Sequence, residues 1–171
     1  MRPDTVLNTL QAAGFEAWYA GGCVRDTLLG RPVHDWDVTT SALPEQVIAL
    51  FPKTVPTGLK HGTVTVLAQN QSVEVTTYRA DGSYHDGRHP DGVRFVRSLR
   101  EDTARRDFTV NAMVMAQDGR IVDYHGGRAD LAAKVLRCVG EPEQRFREDV
   151  LRMLRACRFA AQLGFSIEPE T

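Results

Sequence analysis

The segment Val33-His34-Asp35-Trp36-Asp37-Val38 constrains this chain more than any other. Side chains alternate across a β-strand, so Asp35 and Asp37 share one face while Trp36 and Val38 point to the other. Such a strand needs a core behind its apolar face and an open, polar space in front of its acids. Two carboxylates held side by side repel each other, and a cation between them is the natural remedy. Hard oxygen ligands favour Mg2+, which takes phosphate oxygens as further ligands. Taken alone, an Asp-x-Asp pair fits an exposed strand edge or a turn equally well, so the flanking sequence decides.

Upstream, residues 15–20 form a short apolar strand that Gly21-Gly22 turns into a helix, which Gly30 and Pro32 end before the strand at 33–39. Glycines let backbone approach a ligand, and the N–H groups that open a helix can receive a phosphate. Arg25 adds a charge-assisted contact. A glycine turn is more often only a turn, but followed by the acid pair it predicts a triphosphate-and-metal site using Gly21, Gly22, Arg25, Asp35 and Asp37. Glu74, between Val73 and Val75, faces away from the core of its own strand and is the third acid, supporting the metal.

Elsewhere, Val6, Leu7 and Leu10 mark a helix that ends at Gly14, and Ser41–Phe51 is a second, with Pro44 in its first turn and Pro52 as its stop. Residues 62–68 and 72–77 are strands joined by Gln69-Asn70-Gln71 as a hairpin. The polar segment 79–92 is long for a structureless connection and is therefore expected to be functional. Strand-like runs follow at 93–97, 113–116 and 120–124, and a helical pattern occupies 142–163. The organisation is a mixed α/β plate with a helical extension.

Two further clusters carry chemistry. In Arg105-Arg106-Asp107-Phe108-Thr109-Val110-Asn111, Arg106 suits a phosphate or ribose contact, with Asp107 and Asn111 holding the sugar or bracing the loop. The competing account is a helix end with a solvated arginine pair. Farther on, Asp149, Arg152, Arg155 and Arg158 recur every third residue, a polar stripe winding slowly around a helix of 3.6 residues per turn. Val150, Leu151, Leu154 and Cys157 are expected to be that helix's buried stripe. A solvated face of ion pairs is the alternative. An aspartate accepting from an amino group and an arginine donating to a ring nitrogen match the pairing edges of adenine and cytosine and reject guanine and uracil. Asp149 with Arg152 therefore predicts selection of A and C without a template.

The composition, 42% hydrophobic and 25% charged over 171 residues, is that of a globular chain. A formal net charge of −1 withholds the basic balance of proteins that wrap nucleic acid, so any polyanion must meet local arginine clusters or other parts of the protein. No apolar run approaches the ~20 residues of a membrane span. Cys23, Cys138 and Cys157 lack zinc-ligand spacing and predict reduced thiols in a cytoplasmic protein. His34, His61, His85, His89 and His125 share no metal spacing either, and local hydrogen bonding is their expected role.

The segments GGCVRDTLLG, HDWDV, TGLKHGTVTV, VEVTTYR, RRDFTVNAM and EDVLRMLRACRFA resemble, in order, the class II tRNA nucleotidyltransferases and bacterial poly(A) polymerases. The resemblance implies a polymerase β-type head with a mixed sheet of about five strands at residues 1–138. A truncated all-helical neck follows at 139–171, and body and tail domains that grip tRNA lie outside this chain. It implies a metal on Asp35 and Asp37, and nucleotide contacts from Gly22, Arg25, Arg106, Asp149, Arg152, Arg155 and Arg158. The implied activity is addition of CCA to the tRNA 3′ end from CTP and ATP, with A-only addition and poly(A) synthesis as alternatives. Residues 78–95 look like the loop that CC-adding relatives lack, and 57–63 differ from the more basic poly(A) polymerase segment. A non-catalytic nucleotide- or RNA-binding module is the rival from another class, and the retained acids count against it.

Overall fold

The computed structural model describes residues 2–68, 70–82 and 92–171. Helix α1 (Asp4–Ala12) leads into β1 (Ala17–Ala20), α2 (Gly22–Leu28), β2 (Trp36–Thr40) and α3 (Pro44–Leu50). Three strands follow, β3 (Thr54–Gly58), β4 (Thr63–Ala68) and β5 (Gln71–Thr77), then the short pair β6 (Arg79–Asp81) and β7 (Val93–Phe95). After α4 (Leu99–Ala104) come β8 (Val114–Met115), β9 (Ile121–Val122), α5 (Gly127–Ala133) and β10 (Val135–Leu136). The chain closes with α6 (Pro142–Glu148), α7 (Leu151–Leu163) and β11 (Ser166–Ile167).

Local chemistry sets several of these boundaries. Pro44 opens α3, where its missing N–H costs nothing, and the Leu43 N–H donates to Gln46 Oε1 at 2.8 Å. Ser98 caps α4 by accepting the Glu101 N–H. The predicted continuous helix over 142–163 is instead two helices. Asp149 is extended, with φ −142°, and its carboxylate accepts the Leu151 N–H at 2.9 Å, so this residue ends one helix and starts the next.

The main sheet has seven strands in the order β3-β4-β5-β2-β1-β8-β9, rather than about five. β3 escapes a sequence reading because Pro56 interrupts it, which only an edge strand tolerates. β9 is a two-residue strand at the opposite edge. The run at 93–97 contributes only β7, which pairs with β6 outside the main sheet. All neighbours in the sheet are antiparallel except β2 and β5, so the one parallel junction joins the two acid-bearing strands.

Trp36 and Val38 enter the larger core as expected, with Val64, Val66, Val73 and Val75 beside them and Val6, Leu10, Val24 and Val47 from the covering helices. Tyr19 and Trp36 pack with ring centroids 4.8 Å apart. A smaller cluster of Ala20, Tyr78, Val96, Leu99 and Val114 brings α4 against the sheet. α7 docks through Phe159, whose ring meets Phe108 edge-on at 5.9 Å, and the parallel β10–β11 pair ties down the last residues.

The apolar stripe of α7 departs from expectation. Val150, Leu151, Leu154 and Cys157 are exposed, and Arg152, Ala156 and Phe159 are buried instead. Arg152 therefore turns into the head, Arg155 is partly exposed and Arg158 lies at the surface beside Phe159. Of the polar segment 79–92, residues 83–91, with His85 and His89, lie outside the described residues. The segment's flanks form β6 and β7, bridged by the Gly82 N–H donating to the Gly92 carbonyl at 2.9 Å. Among the described residues, no helix is long and apolar enough to cross a membrane.

Candidate nucleotide and metal site

Parallel register sets Asp37 on β2 directly opposite Glu74 on β5, on the sheet face turned away from the larger core. This face forms the floor of a cavity of about 720 Å³. Gly21, Gly22 and Arg25 line it from the β1–α2 junction and α2, Arg106, Asp107 and Asn111 from the segment after α4, and Asp149, Arg152 and Arg155 from the α6–α7 region. Asp35 precedes β2, is solvent-exposed and lies outside this lining, as does Arg158. Asp35 still acts electrostatically on Asp37.

The acids strain against one another. Burial, then the charge of Glu74, pushes the Asp37 carboxyl up to about 6; Arg106 opposes the rise and Asp35 adds to it. Glu74 itself is exposed. Among the described residues, no group of three or more His, Cys, Asp and Glu side chains is arranged as a complete metal cage. A cation here would need ligands beyond the chain's own.

The arginines are pre-set by named partners. Arg25 is buried, forks onto Asp26 through Nε and Nη2 at 3.0 Å each, and donates from Nη1 to Asn111 Oδ1 at 2.7 Å. Arg106 donates from Nη1 to the Asn111 carbonyl at 3.5 Å, and its Nε is buried without a hydrogen-bond partner among the described residues. Asp107 accepts from Arg155 Nε at 2.8 Å with one oxygen, and from Asn111 and the Phe108 N–H with the other. Arg152 donates to Glu148 at 2.8 Å and to the Arg145 carbonyl at 3.0 Å. Asp149, the predicted companion of Arg152, caps α7 while lining the same cavity.

Several lining residues were not singled out from sequence: Arg79, Asp81, Arg105, Thr63, Thr76 and Phe159. Phe159 gathers the guanidinium groups of Arg25, Arg155 and Arg158 around its ring, each 5.0 to 5.3 Å from the centroid. A helical face of arginines with one aromatic four residues after Arg155 was the available signal. Arg158 thus joins the cluster through the ring rather than through the cavity.

The mixed sheet, its adjoining acids and the arginine-walled cavity belong to a fold shared with solved RNA nucleotidyltransferases. The crystal structure of the Bacillus stearothermophilus CCA-adding enzyme in complex with CTP superposes with a TM-score of 0.91 at 48% identity, over 100% of this chain and 42% of that one. A tRNA nucleotidyltransferase complexed with a primer tRNA and an incoming ATP analogue matches with a TM-score of 0.76 at 31% identity, over 97% of this chain and 47% of that one. The Lactiplantibacillus plantarum CCA-adding enzyme is 54% identical over 97% of this chain and 41% of its own length. The Leuconostoc citreum CCA-adding enzyme is 54% identical over 100% of this chain and 42% of its own. The Poly A polymerase head domain matches residues 17–137, and the chain belongs to that family. It spans about two fifths of the length of these CCA-adding relatives.

Proposed function

We propose that the protein adds CCA to the 3′ end of tRNA without a template, drawing nucleotidyl groups from CTP and ATP and releasing pyrophosphate. The observation that carries this is the convergence of the acid pair Asp37 and Glu74, the arginines and Asp149 on one cavity. The CCA-adding relatives support the product, and the head with CTP and the tRNA complex support the substrates by analogy.

Asp35 and Asp37 would hold a divalent cation, Mg2+, supported by Glu74. The fit rests on the Asp37 carboxyl, which its acidic neighbours and burial push up to about 6, a stress that a cation relieves. When bound, the ion supplies charge neutralisation at the triphosphate and acidity at the primer hydroxyl. The chain's own groups do the rest. Arg25 and Arg106 grip phosphates, and Gly21 and Gly22 let the nucleotide come close to backbone. Asn111 holds these two arginines, Asp107 holds Asn111 and Arg155, and together they form the sugar side of the cavity. Asp149 and Arg152 read the A or C pairing edge, with Arg155 and Arg158 completing the arginine face. The tRNA 3′-hydroxyl attacks the α-phosphorus in line and pyrophosphate departs.

In this reading residues 1–138 are the catalytic head and 139–171 open a helical neck, in a cytoplasmic protein whose tRNA grip lies mainly in further domains. Incubating full-length protein with tRNA lacking CCA, labelled CTP and ATP, and Mg2+, then sequencing the products, tests it. CCA ends are expected. A-only ends or poly(A) tails would reassign the product, and no incorporation would sink the enzymatic reading in favour of a binding module.

A further inference from the structure

Asp102 on α4 is fully buried, with no exposed surface, yet it does not line the cavity. Its carboxylate meets four residues, from β2, from β6 and from the end of its own helix. Oδ2 accepts from Thr39 Oγ1 at 2.9 Å, two residues along β2 from Asp37, and lies 3.5 Å from Arg106 Nη2. Oδ1 accepts from the Arg79 N–H at 3.2 Å, at the start of β6, and from Arg105 Nε and Nη2 at 3.1 and 2.9 Å. Both arginines it touches line the cavity. Burial is the largest influence on this carboxyl and pushes its acidity the other way, but Arg105, Arg106 and the Thr39 hydroxyl together hold it below the ordinary aspartate range.

A buried carboxylate is a poor means of stabilising a fold, because desolvation offsets most of its attraction to a partner. Its value here lies in what it does to the arginines. Each guanidinium carries five N–H groups, and the bonds to Asp102 occupy only part of each fork. A phosphate ligand arriving at the cavity meets two cations whose torsions are already fixed against β2 and β6, and so loses less freedom on binding.

We propose that Asp102 is a positioning residue for triphosphate binding, holding Arg105 and Arg106 in register with the strand that carries Asp37. The inference rests on the nucleotide reading above and adds a residue that acts only through others. It separates from a structural role because it concerns the triphosphate and not the nucleoside.

Calorimetric affinities of full-length protein for ATP and for adenosine, with melting temperatures, test it in wild type, Asp102→Asn and Thr39→Val. Wild type is expected to prefer ATP; equal affinity for both ligands would overturn the nucleotide reading, and this inference with it. Asp102→Asn is expected to lose about ten- to hundredfold in ATP affinity, the range for hydrogen bonds to charged groups, and less than about twofold for adenosine. Thr39→Val, which removes one donor and keeps the shape, is expected to show a smaller loss with the same preference for ATP. Equal losses for both ligands, or an unchanged ATP affinity while wild type prefers ATP, overturn the positioning role alone. Should Asp102→Asn fail to fold, Thr39→Val decides: a flat ATP affinity there overturns it.

Discussion

Asp37 and Glu74 occupy the same rung of the parallel β2–β5 ladder, so two carboxylates project side by side from strands about 4.8 Å apart. The Asp37 carboxyl, pushed up to about 6 by burial and then by Glu74, is the group that bears the cost. The fold disfavours its ionised form. Its contribution to stability is therefore fully present below the unfolded value near 4 and lost as pH rises through about 6.

Comparing wild type with Asp37→Asn isolates this group from all others that titrate. In EDTA, the asparagine variant is expected to gain on wild type between pH 4 and 6 and to exceed it at pH 7.5 by about 1–3 kcal/mol. Denaturant unfolding at several pH values measures the difference. A variant less stable than wild type at pH 7.5 would show that burial and the neighbouring acids do not disfavour the ionised Asp37. Added Mg2+ is expected to stabilise wild type more at pH 7.5 than at pH 5, and the variant little at either.

Asp107 and Arg155 tie the head to α7 through contacts of 2.6 and 2.8 Å. Arg155 is 43% exposed, so solvent screens the pair and the coupling is expected to be about 1 kcal/mol rather than the value of a buried bridge. A double-mutant cycle with Asp107→Asn and Arg155→Met reads it directly. A coupling indistinguishable from zero would mean that α7 is held by its other contacts, Phe159 and the Arg152 bond to the Arg105 carbonyl among them.

The elements with strong alternation or clear punctuation were legible in the sequence. The strand carrying Asp37, the hairpin of β4 and β5 and the helix opened by Pro44 all lie close to their expected places. Most of the residues singled out for their chemistry line one cavity, because glycine turns, acids and arginines are readable without coordinates, whereas Asp35 and Arg158 stand outside it. What escaped depends on packing. Pro56 hides an edge strand, and Asp149 breaks a helix by capping it, which spacing alone does not reveal. Asp102 was hidden in a plain way: it sits three and four residues before Arg105 and Arg106, a helical pairing distance, but only its burial distinguishes it from a surface ion pair.

The α7 stripe was misread because apolar residues were assumed to face inward. Leu154 is 67% exposed, with Val150 and Met153 exposed nearby, while Arg152 is buried against Glu148. For this 171-residue chain, Leu154→Glu is expected to change stability by less than about 0.5 kcal/mol, as for an ordinary surface position. A buried leucine would instead cost several kcal/mol. Urea unfolding of the variant separates the two, and a loss above about 2 kcal/mol would restore the inward-facing stripe.

Gly21 offers the sharpest link between backbone and ligand. Its φ of +75° lies in the left-handed region, and a Cβ built there would stand 3.0 Å from Arg106 Nη1 and 3.9 Å from Asp37 Oδ2. Gly14, with φ +87° at the end of α1, also has a positive φ, yet a Cβ there meets nothing within 4 Å. The two alanine variants therefore separate strain from contact. Both are expected to lose stability, about 1–2 kcal/mol for Gly14→Ala and more for Gly21→Ala, whose ψ of −134° lies outside the left-handed helical well. Only Gly21→Ala should also displace Arg106 and weaken ATP binding, because its methyl group takes up space beside the guanidinium. If both variants bind ATP as wild type does, Gly21 serves the turn alone and its nearness to Arg106 has no bearing on the nucleotide.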